Sequence, residues 1–468
     1  MKFRHIKFTG HPILGNLELD FRHNNGSVYN NIVFAGENGA GKTVLLEYLY
    51  GFSTSLHRLS TDGAVEIEFE VTDSEILEIN EAQTKTGNRA PLPTALINHV
   101  MVFKFNQSTE TGVRGQVIFK GNDENERKLD AIFFAPVFKA MFSDVAINFN
   151  AKTISNVTAK DLDASLSNKC RSGSNLADEI KQLLIDINAA DAEELQQWID
   201  VNPDTIPPTD IQHRRIKRFT QAFDQMFDTK KFKGVENVNG HKDVLFTENG
   251  HEMSIDRLCS GEKQIVFRGS FLLKDINNLN GHVLLIDEPE LSMHPKWERK
   301  ILGFFKTLFT DNTGQKAQMF FATHSEHIVK EALEHIDDNL VVVLSKDTNG
   351  VTAKNITAPD KLRVVTSAEA NYLAFGLYST DYHIQLYGAL QVKENKSSIL
   401  DCDRFITTSA QYNHDSASYT KNWVYNNTTY TTLPTFIRNS IDHPDNTHNY
   451  SYSEEELEKS TELLRDLI

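Results

Sequence analysis

Cysteine is scarce: the 468 residues hold three, Cys170, Cys259 and Cys402, far apart and with no Cys-x-x-Cys pair. That spacing excludes a disulfide framework and gives no zinc module, leaving small buried residues as the ordinary reading. No apolar run approaches the roughly 18 residues of a membrane-spanning helix, and no basic-apolar-small leader follows Met1. A cytoplasmic chain with no membrane partner is expected. Positive charge is short as well, since 48 Lys and Arg face 64 Asp and Glu for a formal charge of -16. Phosphate binding is largely electrostatic, so the surface as a whole is no nucleic-acid sponge. One basic run remains, Arg214, Arg215, Lys217 and Arg218 through Lys230, Lys231 and Lys233, with Asp224 and Asp228 opposing it. It reads either as a solvated helix face or as a local nucleic-acid contact.

What is present is sharper. Gly36-Glu37-Asn38-Gly39-Ala40-Gly41-Lys42-Thr43 follows the apolar run Asn31 to Ala35 and precedes Val44 to Tyr50. Strand, glycine-rich turn and helix is the order a phosphate cradle needs. The glycines let successive N–H groups converge on a polyphosphate, the helix N-terminus adds positive potential, Lys42 can reach the β/γ oxygens, and Thr43 can ligate Mg²⁺. Far downstream, Ser260-Gly261-Glu262 opens a helix, a second anion-seeking start that is weak evidence alone. Its context is strong, because Val283 to Ile286 reads as a buried strand that ends in Asp287 and Glu288. Such a strand would deliver Asp287 to the metal end of the phosphate loop and leave Glu288 to orient or deprotonate an attacking water. A further apolar strand, Gln318 to Ala322, runs into Thr323-His324-Ser325, and ligands of parallel α/β sheets collect at such strand ends. His324 is therefore the histidine expected to sense a γ-phosphate.

The flanking segments suggest an order of domains. Phe3 to Thr9, Leu17 to Phe21, Val65 to Val71, Val100 to Phe105 and Gln116 to Lys120 have the character of an antiparallel sheet, and Ala131 to Phe142 resembles one more strand. Residues 1–158 are read as a first lobe, 159–235 as a short inserted helical arm without the heptads of a long coiled coil, 236–350 as a second lobe, and 351–468 as a mainly helical C-terminal region. The fold class expected is α/β.

Taken together the motifs resemble those of ABC-type ATPases of the SMC, RecF and OLD branch. Residues 36–43 resemble Walker A, Ser260-Gly261-Glu262-Lys263-Gln264 the ABC signature, Val283 to Glu288 Walker B with its catalytic glutamate, Leu291-Ser292-Met293-His294-Pro295 the D-loop, and His324 the switch histidine. The resemblance spans roughly residues 1 to 350. It implies an ABC-ATPase head, an antiparallel β lobe plus a parallel α/β core, that binds and hydrolyses ATP with Mg²⁺. Lys42, Glu288 and His324 would be catalytic, the loop and Ser260-Gly261-Glu262 would bind nucleotide, and Thr43 with Asp287 would hold the metal. The Q-loop glutamine has two candidate places, Gln107 or the segment Phe142 to Asn148. The resemblance also implies a homodimer or higher assembly in which the signature of one head caps the nucleotide of another, and Ser260-Gly261, an anion-seeking helix start that the same chain's phosphate loop does not need, agrees.

The last hundred residues lack what OLD relatives carry there. Asp401-Cys402-Asp403 is the nearby Asp-x-Asp, and its Asn- and Thr-rich surroundings read as loop rather than as the strand end of a Toprim nuclease. No His-Asn-His motif is present. Arg438 and His443 fit the short Arg-x4-His string of HEPN ribonucleases. The alternative pairs Arg438 with Asp442 at i+4 in a helical docking tail. Ser453 with Glu456 forms a capping box for a closing amphipathic helix. A short arm and the absence of a nuclease resemble the ATPases of bacterial antiphage systems, the Septu group among them, which implies a sensor and scaffold for a separate effector nuclease. A RecF-like DNA-repair ATPase and an ATP-gated HEPN-like toxin are the competing classes.

Overall fold

Asn31–Ala35 shows no alternation of polar and apolar residues, and it is buried at every position, as a strand covered on both faces must be. In the computed structural model it lies in a seven-stranded sheet. The order is Gly350–Ile356, Asn339–Asp347, Asn31–Ala35, Gln318–Ala322, Val283–Asp287, Ala140–Ser143 and Asn168–Cys170. The structure describes residues 1–55, 63–85, 92, 100–105, 116–120, 126–130, 138–143, 168–170, 176–208, 214–238, 240–272, 281–311, 314–348, 350–425, 427–445 and 451–468. They form two compact units, Met1–Asn355 and Ile356–Ile468.

Register in the seven-stranded sheet decides where the chemistry goes. Asp287 pairs with Ala322, Ala322 with Phe34, and Ala35 with Val343, all in parallel. The C-terminal ends of three neighbouring strands thus open side by side into Gly36, Thr323 and Glu288. The helix Lys42–Ser55 buries Leu45, Leu46, Leu49 and Phe52 in the core beneath the loop. A six-stranded antiparallel sheet built on Lys2–Thr9 and Ala64–Glu70 encloses the other side of that core. In Ala64–Glu70 the alternation is clean: Val65, Ile67 and Phe69 are buried while the glutamates between them face out. Phe52 meets Phe3, Phe69 and Phe103 at ring separations of 5.2 to 5.5 Å, which stitches helix to sheet. Of the expected strand at 131–142, residues 131–137 lie outside the described residues and Ala140–Ser143 is strand.

The two helices expected as an arm, Leu176–Val201 and Arg214–Met226, pack on each other and on the sheet formed by Lys230–Val238, His241–Glu248 and His251–Ser254. Ile216, Phe219, Phe223 and Met226 form the buried face, with Phe223 at 4.8 Å from Phe246 and Phe227 at 4.9 Å from Trp297.

In the C-terminal unit the helices Thr380–Lys393, Ile399–Thr408, Leu433–Asp442 and Glu454–Leu467 surround Tyr382, Leu386, Tyr387, Leu390, Cys402 and Leu464. The capping box of Ser453 and Glu456 is present. One expectation fails here. Asp401-Cys402-Asp403 is not loop but lies in Ile399–Thr408, whose first turn is capped by the Ser398 hydroxyl accepting from the Asp401 N–H. The Thr-rich stretch after it is a hairpin, Thr420–Tyr425 with Thr428–Thr432. Buried Asp403 explains both: its carboxylate accepts from the N–H and hydroxyl of Thr431 and of Thr432, tying helix to hairpin.

Candidate nucleotide site

The phosphate loop needs its glycines for a steric reason as well as a conformational one. Gly36 has φ 132°, and a Cβ there would stand 2.1 Å from the Leu344 carbonyl oxygen, so a side chain cannot enter. Gly39 and Gly41 also lie at positive φ. Glu37 and Asn38 are exposed at the tip, whereas Ala40 is buried. Lys42 folds back over the loop and donates from Nζ to the carbonyls of Gly36 at 2.8 Å and Glu37 at 3.0 Å. Burial pushes its ammonium down to about 8, against the opposing pull of Asp287, Glu288 and Glu290.

Thr43 and Asp287 are 244 residues apart and in contact, the Thr43 hydroxyl donating to Asp287 Oδ2 at 2.8 Å. Two oxygen donors of hard-cation type therefore face one point beside the loop. Glu288 follows with φ 42°, a left-handed conformation that costs a non-glycine residue of order 1 kcal/mol or more and gathers at functional sites. Its N–H bonds the Ala322 carbonyl at 2.9 Å, and its carboxylate lies 3.9 Å from His324 Nε2. His324 is held below the usual imidazole range first by burial and then by the Lys42 charge, with Glu288 and a backbone hydrogen bond to Gly36 acting the other way. Lys42, Thr43, Asp287, Glu288 and His324 thus come together from three strand ends.

The signature residues divide. Ser260 is exposed at the start of the helix Ser260–Leu272. Gly261 is pressed against the segment after Glu288, since a Cβ on it would lie 2.5 Å from the Ser292 carbonyl oxygen. Glu262, expected among the nucleotide-binding residues, is buried and occupied: one oxygen takes the Lys230 ammonium and the other the Cys259 N–H at 2.9 Å. Lys231 bonds the Asp224 carbonyl and Lys233 pairs with Glu236 and Glu252. The second half of the basic run is therefore largely paired, Lys230 and Lys233 with carboxylates that include the remote Glu262 and Glu252, while positions 214, 215, 217 and 218 share the first turns of the helix Arg214–Met226.

Two residues escaped the sequence reading. Arg268 is fully buried and donates to the backbone carbonyls of Asp287 at 2.8 Å and Glu288 at 3.2 Å, joining the signature helix to the Walker B strand end. Its signal was a lone cation between the apolar run Ile265 to Phe267 and the small, uncharged Gly269-Ser270. Glu290 accepts at Oε1 from the Thr323 hydroxyl at 2.9 Å and the His324 N–H at 2.7 Å, and burial raises its pKa. A second glutamate just past Asp287-Glu288 was visible, but its target 34 residues away was not. Of the two Q-loop candidates, Gln107 and positions 144–148 lie outside the described residues, and Ser143 sits beside Ile286. Arg438 and His443 are not brought together: Arg438 pairs with Asp442 at 2.6 Å, and the His443 ring stacks on Tyr425 at 5.9 Å. Among the described residues no group of three His, Cys, Asp or Glu forms a metal cluster, and no helix is long and apolar enough to cross a membrane.

A glycine loop backed by a helix, a buried lysine and two strand-end carboxylates beside a threonine define a P-loop nucleotide-binding head. Residues 32–330 match the family described as "AAA domain, putative AbiEii toxin, Type IV TA system", and the chain belongs to that family. The matched segment is an AAA-type domain. Among curated proteins the chain is similar to the "Retron Vc95 probable ATPase" of Vibrio cholerae serotype O1 biovar El Tor, 25% identical over 54% of this chain and 48% of that protein. It is also similar to the "Septu protein PtuA" of Bacillus thuringiensis, 27% identical over 26% of this chain and 32% of that protein. The chain spans about half the length, or less, of these relatives. Among solved structures, an Smc head bound to the C-winged helix domain of ScpA aligns at TM-score 0.44 and 10% identity, over 77% of this chain and 98% of that one. The SMC head domain from Thermotoga maritima aligns at TM-score 0.38 and 10% identity, over 76% of this chain and 100% of that one. Both likenesses are too loose to carry an argument.

Proposed function

We propose that the chain is a Mg²⁺-dependent ATPase that works as sensor and scaffold in cytoplasmic antiphage defence, its nucleotide state controlling a separate effector nuclease. The observation that carries the enzymatic part is the Thr43 hydroxyl on the Asp287 carboxylate at 2.8 Å, directly beside the glycine loop. These donors fit Mg²⁺, which when bound would neutralise phosphate charge. The loop amides and Lys42 bind and orient the β/γ-phosphates, Glu288 orients or deprotonates the attacking water, and His324, 3.9 Å from Glu288, contacts the γ-phosphate and Glu288 together. Exposed Ser260 is the residue offered to the nucleotide of a second copy, with Gly261 behind it, so the working unit is a homodimer or a higher assembly. The basic start of the helix Arg214–Met226 is the place for nucleic acid if the trigger is one.

The defence reading is supported by the two named relatives, a retron ATPase and a Septu protein. The toxin reading has one observation in its favour, the wording of the family description. Phage challenge of cells carrying the gene with its genomic neighbour separates them. Protection that needs both genes and vanishes with Lys42→Ala supports the scaffold, whereas growth arrest from this gene alone overturns it in favour of the toxin.

A further inference from the structure

The turn that follows Glu288 is unusual in its backbone and in what it buries. Leu291 N–H bonds the Glu288 carbonyl at 3.2 Å and Met293 N–H the Glu290 carbonyl at 2.9 Å, with Glu288 at φ 42° and Ser292 at φ 61°. Two left-handed non-glycine residues so close together are costly, and Glu290 is the middle one of the three residues between them. Glu290 Oε1 receives both the Thr323 hydroxyl and the His324 N–H. Its Oε2 is buried and, among the described residues, has no hydrogen-bond partner. A carboxylate with one oxygen left unsatisfied in the interior is destabilising, and an amide would meet the same two donors at lower cost. What the carboxylate does secure is the backbone of the histidine whose ring lies against Glu288.

We propose that Glu290 is a positioning residue for ATP hydrolysis: through one oxygen it clamps Thr323 and His324 to the turn after Glu288, fixing the imidazole relative to the hydrolytic carboxylate. The inference rests on the ATPase roles proposed above for Glu288 and His324. It has a second consequence. The same turn offers the Ser292 carbonyl to Gly261, so closely that a Cβ there would stand at 2.5 Å. The turn that Glu290 ties to Thr323 and His324 is therefore also the one packed on the start of the signature helix.

The test compares Glu290→Ala, Glu290→Gln, Thr323→Val and Glu288→Gln in the full chain, reading kcat, binding of a fluorescent ATP analogue and thermal melting. Glu290→Ala is expected to lower kcat by roughly 10- to 100-fold, as loss of an orienting partner does, with nucleotide affinity within about threefold of the parent. Glu290→Gln keeps an acceptor oxygen and should recover most of that loss, and Thr323→Val should fall between. If Glu290→Ala does not fold, the Gln and Val variants carry the same comparison. A parental kcat in Glu290→Ala beside an inactive Glu288→Gln overturns the clamp and leaves the ATPase roles standing. Glu290→Gln as inactive as Glu288→Gln also overturns it, by making charge rather than positioning the requirement. Full turnover in Glu288→Gln sinks the underlying roles themselves.

Discussion

The polar groups of the two units are used in opposite ways. In Met1–Asn355, Lys42, Thr43, Asp287, Glu288, Glu290 and His324 converge from distant parts of the chain, with a left-handed glutamate, a lysine pushed down to about 8 and a buried oxygen that has no partner among the described residues. In Ile356–Ile468, polar side chains hold elements together. Asp403 takes four hydrogen bonds from the hairpin, Glu462 accepts from the hydroxyls of Tyr372 and Tyr378, and Arg438 closes on Asp442 within one helix. A left-handed glutamate among converging titratable groups marks the first set; in the second the side chains just named each close on a structural partner, although Glu369 Oε2 and His383 Nδ1 are buried without one among the described residues. Chemistry is expected where the polar network is paid for in stability, and packing where it is not.

That contrast breaks most easily at the face offered to a second copy. Ser260→Arg replaces an exposed small donor by a guanidinium, and it should leave nucleotide binding within about threefold while lowering turnover by about 100-fold or more, the scale of losing a transition-state donor. Light scattering with and without ATP checks it, and ATP-dependent dimers with normal turnover would refute assembly through this face. In the other unit, Asp403→Ala strands the buried Thr432 donors and the half-buried Thr431 ones and should cost about 1 to 3 kcal/mol in denaturant unfolding. Its ATP binding should be unchanged; lost binding in a folded variant would blur the distinction between the units.

Smaller effects sharpen it. His383 is buried with Nε2 on the Ser460 hydroxyl, and burial pushes its imidazole down to about 3 from 6.5. A group depressed in the fold contributes stability that is complete above its unfolded value and is lost as pH falls below it. Between pH 6.5 and 5 the loss should be about 2 kcal/mol, and His383→Gln should flatten that part of the pH profile. An unaltered slope in the variant would contradict the assignment. Arg438→Ala removes a half-exposed i,i+4 pair and should cost no more than about 1 kcal/mol, with no change in turnover.

The sequence was legible where local rules and spacing agree. Asn31–Ala35, the alternation in Ala64–Glu70, the glycine loop and the Ser453 capping box are all decided by neighbours within a few residues, and each stands where the pattern put it. Thr43 meeting Asp287 was legible for a different reason, since parallel strands deliver their ends to one edge. Glu262 and Glu290 were not, because a carboxylate's partner is chosen by the packing of remote segments: Lys230 for one, Thr323 and His324 for the other. Asp401 to Asp403 failed for a related reason. The stretch looks polar enough for loop, but the Ser398 cap starts a helix there and Asp403 finds its donors in a hairpin 28 residues on.

ATP turnover of Glu288→Gln tests the convergence at the first site most directly. The side chain keeps its size and its place 3.9 Å from His324, and loses only the charge that would handle the water. Nucleotide should still bind, with turnover reduced by about 10²- to 10⁴-fold. Turnover at the parental rate, with nucleotide bound, would contradict the assignment of Glu288 and with it the reading of this cluster as the hydrolytic centre.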